Sequence, residues 1–417
     1  MSTTIQPIQS KPPVSQRKPP IVALLGPAFI AAIAYVDPGN VAANITAGAR
    51  YGYLLLWVLV CANLMAMLIQ YMSAKLGIVT GKSLPEILGD RLPRSGRILF
   101  WIQAELIAGA TDLAEVIGGA IALNLLFGIP LLWSGVIIGA VSLFLLGVQN
   151  RRGQRTFEFV IIGLLMTITL GFLLGLFVSP PDVPQMTAGL LPRFAGSDSV
   201  LVAASMLGAT VMPHAVYLHS SLVIDRHGAD SRAGKLSIPH LLRATRFDIV
   251  WALSLAGIVN IGLLLLAASA LSGVEGTDTI EGAHAAITSA LGGGIGKVFA
   301  IGLLASGLAS TSVGAYAGSE IMKGLLHIRV PLLARRAVTL VPALLIIAWG
   351  VEPTWALVLS QMALSFGIPL AIIPLMLLTR SRKVMGEYAD SRVVWITGIL
   401  VASLIIALNI LLIFLSI

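Results

Sequence analysis

Long apolar runs separated by short polar stretches make up the chain. Eleven runs stand out, near residues 21–49, 53–78, 97–127, 130–149, 156–178, 197–224, 245–271, 295–322, 334–350, 354–379 and 393–416. A helix needs roughly 17–25 apolar residues to cross a hydrocarbon core, and these runs fall in or near that range. A backbone in lipid must satisfy its own hydrogen bonds, so such runs predict helices. The expected fold is an all-α polytopic membrane protein with eleven transmembrane helices. Residues 1–20 are polar, Pro-rich and basic and read as a disordered cytoplasmic tail. Residues 21–417 read as a single transmembrane domain. The first apolar run is too long for a cleavable signal peptide.

Two runs carry an interruption at their middle. In the first it is Ala34-Tyr35-Val36-Asp37-Pro38-Gly39-Asn40. Proline lacks a backbone N–H and disfavours helix at the residue before it, here Asp37. Gly39 lets the chain turn without a Cβ penalty. Two half-helices with an unwound knot between them are predicted, and Asp37 and Asn40 add hard oxygens at that knot. The sixth run reads Ala209-Thr210-Val211-Met212-Pro213-His214, again a mid-span proline beside a possible metal ligand. The breaks lie five spans apart, an odd number, so two halves built alike would run in opposite senses. Paired interrupted helices mark the binding site of many transporters. Spans 1–5 (21–178) and 6–10 (197–379) are therefore expected to form an inverted repeat, with 393–416 as a peripheral eleventh helix. The plainer reading of either proline alone is a kink, which membrane helices tolerate.

Composition agrees: 57% of residues are hydrophobic and 11% charged, which excludes a soluble domain. The net charge of +8 could point to nucleic acid, but its distribution does not. With the N-terminus inside, 24 Lys and Arg fall on cytoplasmic segments and span ends, leaving Arg50, Arg193 and Lys297 outside. The basic charge is a topology signal, and no nucleic-acid partner is expected. The expected location is the cell (inner) membrane, with a cytoplasmic N-terminus, an outside C-terminus, lipid around it and no obligatory protein partner. Cys61, the single cysteine, excludes an intrachain disulfide.

Asp37-Pro38-Gly39-Asn40 and Met212-Pro213-His214 resemble the paired signatures of the NRAMP family of proton-coupled divalent metal transporters. The likeness extends to Gly26-Pro27-Ala28-Phe29, to Ala110-Thr111-Asp112-Leu113-Ala114-Glu115 and to Gln361, and covers the chain from Gly26 onward. It is greatest to bacterial manganese-transporting members. The resemblance implies a five-plus-five inverted repeat and metal import coupled to protons. It implies that Asp37, Asn40, Met212 and the Ala209 carbonyl ligate the metal, joined in some conformations by the Ala34 carbonyl and the Gln361 amide. The transported ion would be Mn2+ or Fe2+, with Co2+, Cd2+ and Zn2+ also accepted, and no cofactor is expected.

The ligand chemistry has its own logic. Carboxylate, amide and carbonyl oxygens suit magnesium and calcium, whereas a thioether suits softer transition metals. Met212 is thus the expected selectivity element, against the alternative of ordinary core filling. In the third span Glu105, Asp112 and Glu115 share one face, at offsets of about 20° and 80°. Such a face is expected to point into the protein. Arg335 and Arg336 open the ninth span and are natural partners for Asp112 and Glu115. The resemblance gives this network a role in proton passage; the alternative is an ion-pair cluster that fixes helix packing. His214 and His219 are expected in the pathway or its gating rather than as ligands.

Other signals are discounted. Asn44-Ile45-Thr46 matches a glycosylation acceptor but lies within a span. Gly292-Gly293-Gly294-Ile295-Gly296 lacks the strand and Lys-Ser/Thr of a phosphate loop and reads as a flexible link. Gly314 and Gly318 read as close helix packing. Glu275, Asp278 and Glu281 read as an ordinary solvated loop. A sodium-coupled symporter of small organic solutes on the same architecture is the alternative function, although it leaves Met212 unexplained. A channel would need a continuous pore. No cluster of nucleophile, base and orienting group suggests an enzyme.

Overall fold

The computed structural model describes residues 19–152, 154–232, 236–328 and 331–416. The tail expected over 1–20 lies outside them, except for Pro19 and Pro20. Pro19 is tied down, its carbonyl facing His240 Nε2 at 3.2 Å. Every regular element among the described residues is helical.

The first run is broken as expected. Helices α1 (Pro27–Ile33) and α2 (Pro38–Tyr51) are joined by a 3-10 turn over Ala34–Val36, and their axes bend by 46°. Pro38 opens α2, where its fixed φ suits the first helical position, and Asp37 caps that helix in extended conformation. Helix α3 (Leu56–Thr80) is followed by the short α4 (Leu84–Arg91), α5 (Arg94–Phe127), α6 (Leu131–Arg152) and α7 (Gln154–Val178). A short α8 (Val183–Ala188) leads to α9 (Ser197–Thr210) and α10 (Pro213–Arg232), the halves of the sixth run. They are interrupted at Val211-Met212 yet continue as one apolar span, Ser197–Ser231. There follow α11 (Ile238–Ala270), α12 (Ile280–Leu291), α13 (Gly293–Leu326), α14 (Leu332–Ala348), α15 (Pro353–Arg380), the four-residue α16 (Arg382–Met385) and α17 (Arg392–Ser416).

A helix stands in each of the eleven predicted runs, but the expected count of eleven crossings is not established. Among the described residues, nine spans pass on length and composition if the bent first pair counts as one. The described apolar part of α6, Leu131–Leu145, and the 17-residue α14 are shorter. Two loop expectations are corrected. Gly293–Gly296 is the first turn of α13 rather than a flexible link, because Gly292 ends α12 and the next helix starts at once. The region of Asp278 and Glu281 is no ordinary solvated loop. Asp278 pairs with Arg50 at 2.5 Å, and Glu281 accepts from the Thr354 hydroxyl at 3.3 Å, joining α12 to α2 and α15.

Packing repeats with an offset of five spans. Helix α2 lies on α11 as α10 lies on α3; α5 lies on α15 as α13 lies on α7; α1 lies on α7 as α9 lies on α15. Helix α17 stands outside this repeat, against α15 and α9. The two broken runs meet where α2 packs on α9, and α15 crosses both. That crossing positions the site.

Candidate metal centre

At the crossing, Asp37 Oδ1 accepts from the backbone N–H and from Nδ2 of Asn40, both at 2.7 Å. The same Nδ2 donates to the Ala209 carbonyl at 2.9 Å. That carbonyl is available because its usual helical donor would be residue 213, a proline. One amide therefore ties the first break to the second across 169 positions of sequence. Asp37, Asn40 and Met212 are wholly buried, with Ala209. Met212 occupies the interruption between α9 and α10.

Gln361 approaches from α15. A Cβ placed on Gly39 would lie 1.9 Å from Gln361 Nε2, so only glycine leaves room for this amide. Three buried side-chain oxygens, Asp37 Oδ2, Asn40 Oδ1 and Gln361 Oε1, have no hydrogen-bond partner. Unpaired buried acceptors are costly in a dry interior, at about 1–3 kcal/mol each, and a cation would satisfy them. Among the described residues no three His, Cys, Asp or Glu gather as a metal group. A cation here would meet one carboxylate with amide and carbonyl oxygens, and Met212 lies buried in the interruption three residues after Ala209. Ala34 begins the 3-10 turn, one turn before Asp37, and is also buried.

Residues that sequence reasoning missed hold the break open. Asn260 Nδ2 donates to the Tyr35 carbonyl at 2.6 Å, and the Ser306 hydroxyl donates to the Val36 carbonyl at 2.6 Å. Asn44 Nδ2 in turn donates to Asn260 Oδ1 at 2.9 Å. Gln70 Nε2 donates to the Tyr35 hydroxyl at 2.6 Å, while Gln70 Oε1 faces His219 Nδ1 at 2.7 Å. Each is a neutral polar side chain inside an apolar run, expensive there unless partnered, but without a spacing that names its partner.

The charged residues of the third span are brought together, in a pairing that matches the expected one for Arg336 and Asp112 but not for Arg335 or Glu115. Arg335 meets Glu105 at 2.7 Å, not Asp112 or Glu115. Arg336 meets Asp112 at 3.1 Å and donates to the Ser142 hydroxyl at 3.1 Å. Glu105 lies two turns before Asp112 on α5, so the two arginines, adjacent in sequence, reach different acids. Among the described residues Glu115 makes no ion pair of its own, and its Oε2 has no partner. Gly314 and Gly318 do more than let helices touch. An added Cβ would lie 2.9 Å from Glu115 Oε2 at Gly314 and 2.0 Å from the Arg335 guanidinium at Gly318. The two glycines are recesses for the network. His214 Nδ1 is 3.4 Å from the hydroxyl of Thr111, the neighbour of Asp112, and its Nε2 is unpartnered. His214 thus lies beside the acidic helix, while His219 joins the Gln70–Tyr35 chain.

A family model described as natural resistance-associated macrophage protein-like (Nramp) matches residues 28–415. The chain belongs to the Nramp family. It is 56% identical over 394 residues to the divalent metal cation transporter MntH of Mycobacterium tuberculosis H37Rv, covering 94% of this chain and 92% of that one. It is 44% identical to the MntH of Deinococcus radiodurans over 391 residues, 93% and 89% of the two chains. The manganese transporter of Eremococcus coleocola, solved with an aromatic bis-isothiourea compound, superposes with a TM-score of 0.83 at 33% identity, over 94% and 86% of the chains. MhsT, solved in complex with L-phenylalanine, reaches a TM-score of 0.57 at 14% identity over 93% and 97% of the chains, a likeness of fold alone. As an Nramp member the chain is a multi-pass membrane protein and not an enzyme.

Among the described residues Asp37 brings the one carboxylate to the crossing of this Nramp chain. Asp37→Ala is expected to weaken Mn2+ binding by roughly a hundredfold or more, as loss of the one formal negative charge at a buried site implies. Calorimetric titration of Mn2+ into the folded variant checks this; near-normal affinity would contradict the assignment.

Proposed function

We propose that this protein imports divalent transition metal ions, Mn2+ foremost and Fe2+, Co2+, Cd2+ and Zn2+ with it, by alternating access coupled to proton entry. What carries the reading is the convergence of three unpartnered buried oxygens, the Ala209 carbonyl and Met212 where two interrupted helices cross. The names of the relatives, divalent metal cation transporter and manganese transporter, support the same cargo. In this reading Asp37, Asn40, Met212 and the Ala209 carbonyl hold the ion, with Gln361 and the Ala34 carbonyl joining as the cavity opens and closes. The Asn40 amide that now bridges Asp37 and Ala209 turns Oδ1 to the incoming cation. The cost is two hydrogen bonds, which ion–oxygen contacts replace.

Protons take a second route in this proposal. Asp37 hands them towards Glu115 and Asp112, with His214 beside them, and Arg336, Arg335 and Glu105 continue the network along α5. His219 serves gating through Gln70 and Tyr35. The chain sits in the cell (inner) membrane with the N-terminus in the cytoplasm and the C-terminus outside, the orientation that the 24 basic residues on one side favour.

Selectivity follows from ligand softness. Oxygen ligands suit calcium and magnesium at least as well as manganese. The membrane potential pulls every divalent cation alike, by roughly 4.6 kcal/mol per 100 mV across the full field. The Met212 sulfur is left as the discriminating ligand. Met212→Ala is expected to retain reduced Mn2+ uptake, lose most Cd2+ affinity and admit Ca2+ or Mg2+. Proteoliposome uptake of the four ions under one imposed potential tests this, and a variant that still excludes Ca2+ and Mg2+ would refute it. The same vesicles with an internal pH dye test the second route. Glu115→Gln is expected to lower the ratio of proton to metal flux with little change in metal affinity; an unchanged ratio would leave Glu115 as packing.

A further inference from the structure

At the end of α15 and the start of α17 the structure carries a recess of 940 Å³ that the metal pathway does not use. Arg380, Arg382 and Arg392 line it, with Glu387 and Asp390. Asp390 is already neutralised, since Lys75 of α3 meets it at 2.6 Å in a nearly buried pair. Arg380 Nη1 donates to the Asp390 carbonyl at 2.6 Å, and the Asp390 N–H donates to the Thr379 carbonyl at 2.9 Å. These contacts hold the loop in place, so the recess is preformed. Arg382 and Arg392 are exposed and make no ion pair among the described residues. The wall therefore has an excess of positive charge facing an open space of headgroup size.

Between the same two helices runs an apolar groove of 230 Å³ lined by Ile373, Met376, Leu377, Trp395, Ile399 and Ile406. Leu377 and Trp395 lie three residues from Arg380 and Arg392, about 4.5 Å of helix rise. From Trp395 to Ile406 the groove follows α17 for about 16 Å, close to half of a ~30 Å hydrocarbon core, or one leaflet. Trp395 stands at the junction, where interfacial aromatic rings settle. A cationic recess whose lining residues stand one helical turn from those of an apolar groove one leaflet long matches a molecule with an anionic head and an acyl tail. It does not match a soluble anion, which would leave the groove uncovered.

We propose that the ends of α15 and α17 form a binding site for an anionic phospholipid, its phosphate between Arg380, Arg382 and Arg392 and one acyl chain along the groove. Basic pockets between helices at the membrane surface recognise such headgroups. The bound lipid covers the peripheral helix α17 on its seam with α15 and fastens it to the repeat.

The test is lipid titration of the purified full chain, read by native mass spectrometry. The probes are phosphatidylglycerol, phosphatidylcholine and inorganic phosphate. Phosphatidylglycerol is expected to fill one saturable site on the wild type and to bind more tightly than phosphatidylcholine. The double substitution Arg382→Gln/Arg392→Gln is expected to weaken it roughly thirtyfold, about five- to sixfold per arginine at a membrane surface. Ser403→Trp, an exposed position that also lines the groove, is expected to weaken it without touching the charge. This second variant carries the test if the first does not fold. Equal affinity for the two lipids, or unchanged phosphatidylglycerol binding in either variant, would overturn the proposal. So would displacement by inorganic phosphate at equal concentration, which would assign the recess to a free anion.

Discussion

The structure depends on two backbone N–H groups that are missing. Pro38 and Pro213 cannot donate to the carbonyls one turn before them, so two membrane helices surrender part of their hydrogen bonding in mid-span. In lipid, an unsatisfied carbonyl is among the most expensive things a helix can carry, so the surrounding helices must supply donors. They do so specifically: Asn40 reaches Ala209, Asn260 reaches Tyr35 and Ser306 reaches Val36. Because these donors come from α2, α11 and α13, satisfying the breaks also fixes how those helices pack. The same economy of hydrogen bonds leaves buried oxygens unpaired at the breaks, on Asp37, Asn40 and Gln361.

The charged cluster on α5 obeys the same rule at higher stakes. Asp112 and Glu115 are almost wholly buried, as are both arginines. An ion buried without a partner would cost several kcal/mol, so each acid needs a cation or a proton. Arg336 serves Asp112 and Arg335 serves Glu105, which leaves Glu115 without an arginine of its own. In the proposed function this is why Glu115, rather than the arginine-paired acids, is assigned the proton exchange. Gly314 and Gly318 make this arrangement possible by withdrawing their side chains from the space the network occupies.

Much of this was legible before any coordinates. Mid-span prolines flanked by Asp37, Asn40 and Met212 named both breaks, and apolar runs located the helices, though among the described residues α6 and α14 are short and nine spans pass on length and composition. The ligand contacts depend on the approach of α15, which no local pattern encodes; Gln361 was placed by resemblance, and its seat on Gly39 emerges only in three dimensions. Arg335 and Arg336 were recognised as partners for acids, but which acid each takes depends on the register of α14 along α5, where Glu105 proved the nearer for Arg335. Asn260, Ser306 and Gln70 were overlooked because a single neutral polar residue in an apolar run has no spacing to betray it. Asp278 was misread because its partner, Arg50, is distant in sequence.

The central claim is that the two breaks assemble one mixed oxygen–sulfur site with no histidine in it. X-ray absorption at the cadmium edge of the Cd2+-loaded protein tests that claim directly. The account predicts a first shell of oxygen neighbours with a single sulfur, the sulfur lost in Met212→Ala, and no imidazole scattering from His214 or His219. A shell of oxygen alone, or one with an imidazole ring, would contradict it.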